Sequence, residues 1–216
     1  MINGDNTANL KRLISFDEDK SFQSLPMNPE PSFDLTGLGR RACRDLENVF
    51  ERVDPAQLEL LSRELVAARR IVCYGVGREG LMMGAIAMRL MHAGFQSYVV
   101  GEMVTPPVCR GDVFFASAGP GHFPTIETLL KVAREAGGRT VIVTAQPARA
   151  AQMPVDAVIY LPAQTMVDVT AGLSVLTMGT HYEAALLLFG DLLILRLLEL
   201  THQKREDMYT RYTNMK

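Results

Sequence analysis

The sequence predicts an α/β fold in which a parallel sheet lies between two helical layers, a three-layer α-β-α sandwich, on three observations. Five short runs rich in β-branched and aromatic residues, IVCYG (71–75), SYVVG (97–101), DVFFAS (112–117), RTVIVT (139–144) and AVIYLP (157–162), are nearly continuously apolar, as strands buried on both faces are. Helical patterns lie between several of them, at 79–93 and 125–137, and a long one follows at 179–203. A chain of 216 residues with 48% hydrophobic composition can also bury one large core.

Taken in order, residues 1–35 mix polar, acidic and Pro-containing stretches without sustained periodicity, and are expected to form a flexible arm ahead of a single domain at 36–216. In GRRACRDLENVFERV, Ala42, Leu46, Val49, Phe50 and Val53 recur at helical spacing. Asp54 followed by Pro55 ends that helix and starts PAQLELLSRELVAARR, with Leu58, Leu61, Leu65 and Ala68 on one stripe. The helix at 79–93 carries Met82, Met83, Met88 and Met91, expected as core filling, and Arg89, expected to pair with an acid. The last helix is apolar on nearly every side, more than one sheet contact can hide, so a homodimer or homotetramer is expected. Asp191, Arg196 and Glu199 interrupt it, and each central charge costs roughly 2.5–3.5 kcal/mol on insertion, which argues against a membrane span.

A formal charge of −2 offers no basic field for nucleic acid. Cys43, Cys73 and Cys109 are odd in number and form no C-x-x-C pair, consistent with buried reduced thiols. No charged-then-apolar leader opens the sequence, so a cytoplasmic location is expected.

Ligands of such folds sit at the carboxyl ends of the strands. There Gly75, Gly77 and Gly80 fall on G-x-G-x-x-G, the dinucleotide-binding spacing, and Glu102 follows the second strand where a ribose-binding acid would stand. Against that reading, Gly77 is followed by bulky Arg78 and acidic Glu79. A second glycine-rich loop, SAGPG (117–121), also precedes a helix, and two helix N-termini at one cleft suit a compact anion better than an extended dinucleotide.

GVGREG, AMRLMHAGFQSYVVGEMVTPP, GDVFFASAGPG and MGTHYEAALLLFGDLLILRLLEL resemble the sugar isomerase (SIS) domain family, and within it the 6-phospho-3-hexuloisomerases. The resemblance runs from about Leu38 to the C-terminus. It implies a five-stranded, flavodoxin-like parallel sheet, a tetramer with active sites at subunit contacts, and conversion of a 3-hexulose 6-phosphate to fructose 6-phosphate without metal or nucleotide.

Moving a carbonyl to its neighbour requires a base for the intervening proton, a donor to the enediolate oxygens and a grip on the far end of the sugar. By the resemblance, Glu183 of MGTHYE is the base and His92 of MRLMH shuttles a proton on oxygen in a neighbouring subunit's site. By position alone, Glu183 could simply complement a helix dipole, and His92 could be a C-terminal helix partner. The remaining expected substrate-binding residues are Gly77, Arg78, Glu79, Ser117, Ala118, Gly119, Gly121, His122, Thr125 and His181.

The phosphate grip departs from the family pattern. Where relatives carry S-G-S-G-E-T, this chain has Ala118-Gly119-Pro120-Gly121-His122-Phe123, without the hydroxyls and with one amide removed by proline. Where they carry G-R-S-G, the serine is Glu79. Each hydrogen bond lost to a charged group costs roughly 1.5–3 kcal/mol. Ser117, Thr125, Arg78 and His122 are available to compensate, and Glu79 could turn away to pair with Arg78. Three readings stay open: an isomerase that holds a sugar phosphate unusually, an isomerase-like enzyme for an unphosphorylated sugar, and a non-catalytic sugar-binding module.

Overall fold

The computed structural model describes residues 33–168 and 174–215, so all but the end of the arm lies outside it. The chain runs α1 (Leu35–Phe50), α2 (Pro55–Val66), β1 (Arg70–Gly75), α3 (Arg78–His92), β2 (Ser97–Val99), β3 (Asp112–Ser117), α4 (Pro124–Glu135), β4 (Arg139–Thr144), the short α5 (Pro147–Ala150), β5 (Ala157–Tyr160), α6 (Thr180–Leu200) and α7 (Arg205–Thr210). Asp54 caps α2 as its residue type demands, its side chain accepting from the Ala56 amide while Pro55 stands in the first turn. The expected fold class holds, with β2 and β5 each two residues shorter than expected and two short helices, α5 and α7, in addition. Edge strand β2 stops at Val99 because Gly101, at φ 98°, turns the chain away.

All strands pair in parallel in the order β2-β1-β3-β4-β5. Successive residues feed opposite faces. Ile71, Cys73, Val113, Phe115, Val141 and Val143 join the core under α1, α2, α3 and α6, whereas Val72, Phe114, Ala116 and Ile142 join Ile126, Leu130 and Ala150 of α4 and α5. At the amino end of the sheet Arg69 and Arg70 both grip buried Asp112.

Two expectations about side chains are corrected. Met83 fills the core, but Met88 and Met91 are exposed, because the apolar stripe of α3 is wider than its contact with α6 and the sheet. Cys73 is buried and Cys43 exposed, so the three free thiols do not share one environment. Arg89 does find its acid, Asp191 of α6, at 3.7 Å. Among the described residues no helix is long and apolar enough to cross a membrane.

Candidate active site

The chain order reverses between β1 and β3, and their carboxyl ends open the crevice where α/β sheets bind ligands. Gly75 pairs with Ser117 in register, so the loops after both strands leave the sheet side by side. Gly75 and Gly80 are consumed by packing: a Cβ on Gly75 would stand 2.8 Å from the backbone of Glu79 and Gly80, and one on Gly80 2.7 Å from the Gly75 carbonyl oxygen. The glycine spacing therefore sets a close strand-to-helix passage. Gly77, the N-cap of α3, takes φ 59° and ψ −129°, a backbone that side-chain-bearing residues avoid.

A cavity of about 390 Å³ opens here, lined by Val76–Glu79, Pro120, Phe123, Thr165, Met166, residues 177–180, Tyr182 and Glu183. Glu183 stands in the first turn of α6. Its Oε2 lies 2.6 Å from Arg78 Nε as a charge contact, and no donor among the described residues is directed at that buried oxygen. Met178, at φ 53°, holds left-handed backbone at the rim.

Glu79 does not pair with Arg78. Its side chain turns inward, and Oε2 accepts from Ser117 Oγ at 2.5 Å and from the Gly119 amide at 2.9 Å. Burial pushes this carboxyl up, the two donors pull it back, and the Glu183 charge adds to the upward push. Beneath it Tyr182 donates its hydroxyl to the Val143 carbonyl and lies 3.1 Å from Ser117 Oγ. Burial holds the Tyr182 hydroxyl well above the ordinary tyrosine range, with Glu79 adding to the push, so it remains a donor.

The structure thus brings Gly77, Arg78, Glu79 and Glu183 to one cavity, with Ser117, Ala118 and Gly119 buried behind it. It takes others elsewhere. Gly121 closes a turn onto the Ala118 carbonyl, and a Cβ there would meet Gln146 and Arg149. His122 is directed to Glu127, 2.9 Å away, beside a different cavity, and Thr125 is exposed in the first turn of α4. His181 is buried in α6: its Nδ1 accepts from the Gln164 amide, which leaves Nε2 to donate to the Asp45 carbonyl. His92 lies at the far end of α3 from Arg78, 14 residues or about 21 Å along the axis. It stacks on Tyr212.

Sequence reasoning passed over Tyr182 and the rim residues Thr165, Met166, Thr177 and Met178. The signal for Tyr182 was its place beside Glu183 at a helix start, where its side chain faces the strand ends. Among the described residues no group of three or more His, Cys, Asp or Glu is placed to hold a metal ion.

No protein-family model matches the chain. It is 30% identical over 171 residues to the 3-hexulose-6-phosphate isomerase of Mycobacterium gastri, covering 79% of this chain and 86% of that one. Against the 3-hexulose-6-phosphate isomerase of Bacillus subtilis it is 31% identical over 173 residues, 79% of this chain and 93% of the other. A solved protein from Methanococcus jannaschii, whose structure was reported to infer a molecular function of 3-hexulose-6-phosphate isomerase, matches with a TM-score of 0.69 at 25% identity, covering 84% of this chain and 98% of that chain.

Proposed function

The chain belongs to the 3-hexulose-6-phosphate isomerase family, and from that membership we propose that it moves a sugar carbonyl to the neighbouring carbon through an enediolate, with Glu183 as the base. The observation that carries this is the buried Glu183 Oε2, facing Arg78 in the cavity at the strand ends without a directed donor. A carboxylate in the wall of a cavity can take a carbon-bound proton, and an adjacent guanidinium can stabilise the enediolate oxygens.

In the direction from fructose, Glu183 removes the C3 proton, the electron pair forms the 2,3-enediolate, and return of the proton to C2 leaves the carbonyl at C3. His92 is the proposed carrier of the proton between the two oxygens, from a second copy of the chain, since 21 Å along α3 separates it from this cavity in one copy. The proposed assembly is a homo-oligomer.

The test is exchange in deuterated water. Because the enediolate can collapse back, fructose or fructose 6-phosphate recovered from the reaction should carry solvent deuterium at C3, and Glu183→Gln should lower that rate by at least ~100-fold. A Glu183→Gln protein that exchanges at the wild-type rate would remove Glu183 from the mechanism. Ligand binding without exchange on any ketose would favour a sugar-binding module instead.

A further inference from the structure

In this chain the SAGPG side of the anion cradle is already filled by the protein's own carboxylate. The first loop and the SAGPG loop meet where a ligand anion would be expected, yet every amide from 118 to 121 is spent. The Ala118 amide donates to the Val143 carbonyl, the Gly119 amide to Glu79 Oε2, and the Gly121 amide to the Ala118 carbonyl, while Pro120 has no N–H. The Ser117 hydroxyl is spent on the same Glu79 oxygen. At the start of α4, Glu127 complements the helix terminus and holds His122 and Lys131.

Charge gives the same answer independently of the loop. The residues lining the cavity include one cation, Arg78, which stands against Glu183, and a second carboxylate, Glu79. A phosphate would enter a pocket with no excess positive charge and, with Glu79 ionised, meet it as a like charge. Glu79 Oε1, by contrast, receives no hydrogen bond among the described residues. A hydroxyl suits that atom in either protonation state of the acid, donating to the carboxylate or accepting from the carboxyl.

We propose that the sugar taken by this site carries hydroxyls, and no phosphate, at the end that faces Glu79. The inference rests on the isomerase reading of the same site and names its substrate class: a free ketose, with Glu79 as a specificity-determining residue bonded to a terminal hydroxyl.

The experiment compares D-fructose with fructose 6-phosphate in deuterated water, following C3 deuteration by nuclear magnetic resonance for the wild type and Glu79→Ser, with calorimetric titration of inorganic phosphate into both. The wild type should exchange D-fructose with a kcat/KM at least ~10-fold above that for the phosphate ester. Glu79→Ser should shift the ratio at least ~10-fold toward the ester, because it frees the Gly119 amide and removes the like charge. An equal or higher wild-type kcat/KM on fructose 6-phosphate, or a ratio unmoved by the substitution, overturns the proposal while leaving the isomerase reading intact. If neither sugar exchanges, the isomerase reading fails on these ketoses and the phosphate titration decides. At least ~10-fold tighter phosphate binding by Glu79→Ser upholds the filled cradle, and unchanged binding overturns it. Should Glu79→Ser not fold, Glu79→Gln keeps the shape and acceptor of the side chain without its charge, and carries the same comparison with a smaller shift in the same direction.

Discussion

Arg78 Nε and Glu183 Oε2 stand 2.6 Å apart across the cavity, joining the first turn of α3 to the first turn of α6. The two partners differ in exposure: the Arg78 side chain is 62% exposed and that of Glu183 12%. Loss of the arginine therefore leaves a mostly buried carboxylate without its counter-charge, whereas the arginine itself sacrifices little packing.

Arg78→Leu should lower kcat/KM for carbonyl movement by ~10- to 100-fold, since it removes the cation beside the developing enediolate. Stability should fall as well, by about 1–3 kcal/mol, because the substitution leaves the largely buried Glu183 carboxylate without its counter-charge. Arg78→Lys restores a charge without the planar fork and should fall between the two. Steady-state kinetics beside a urea titration separates the effects. Full activity in Arg78→Leu would show that the guanidinium plays no part in the reaction.

Gly119 is pressed between the two groups that define the cradle. A Cβ there would stand 2.8 Å from the Tyr182 ring and 2.9 Å from Glu79 Oε1. Gly119→Ala should cost about 1–3 kcal/mol, since a buried, hydrogen-bonded ring and a backbone-bound carboxylate have little room to yield. The variant should also displace Glu79 from the Gly119 amide. Chemical denaturation reads the first effect, and an unshifted midpoint would mean that Glu79 and Tyr182 are more loosely held than described.

What the sequence made legible follows from the range of the forces involved. β-branched runs and helical stripes are local, so the strands, the main helices and the crevice at the ends of β1 and β3 could be read directly. Gly77–Glu79 and Glu183 could be placed at that crevice because each lies one step past a strand or at a helix start. The partner of Glu79 could not be read, since Ser117 and Gly119 are 38 and 40 residues away and Arg78 was the nearer candidate. His122 and Thr125 were lost from the site for a similar reason. The turn closed by Gly121, at φ 89°, carries the chain past the crevice before α4 begins. A helical stripe also cannot distinguish a face buried in the chain from one left open, which is why Met88 and Met91 were misplaced.

His92 provides a pH test of the fold. It is only 4% exposed, and burial, with Arg89 adding its charge, holds its imidazole below the ordinary value of 6.5. A histidine lowered in the folded chain takes up its proton more readily when unfolded. Its contribution to stability is therefore complete above about pH 6.5 and is lost as pH falls through the lower folded value. Melting temperature between pH 8 and pH 5 should drop below pH 6.5 in the wild type and drop less in His92→Gln. Superimposable profiles would mean that the ring is not shielded as its burial indicates.

The exposed face of α6 leads to a prediction about assembly that also tests the role given to His92. Leu188, Leu192 and Leu195 recur at spacings of four and three residues, so they form one stripe, and each is at least 40% exposed. They line a cavity of about 630 Å³ together with His92, Arg89, Asp191 and Tyr212, so the stripe and the buried histidine border one groove. Burying such a stripe against a second copy removes it from water at ~25 cal/mol per Å² of apolar surface, and a stable dimer hides about 1,200–2,000 Å² in total. Light scattering at micromolar concentration should therefore give a dimer or tetramer. Leu192→Asp, which places a charge in the middle of the stripe, should dissociate it. If His92 serves the site of a second copy, the dissociated variant should lose turnover although Glu183, Arg78 and Glu79 are untouched, and raising protein concentration should restore part of it. A monomeric Leu192→Asp protein with wild-type kcat would confine the chemistry to one chain and take His92 out of it. A wild type that is itself monomeric would leave the stripe without the partner inferred for it.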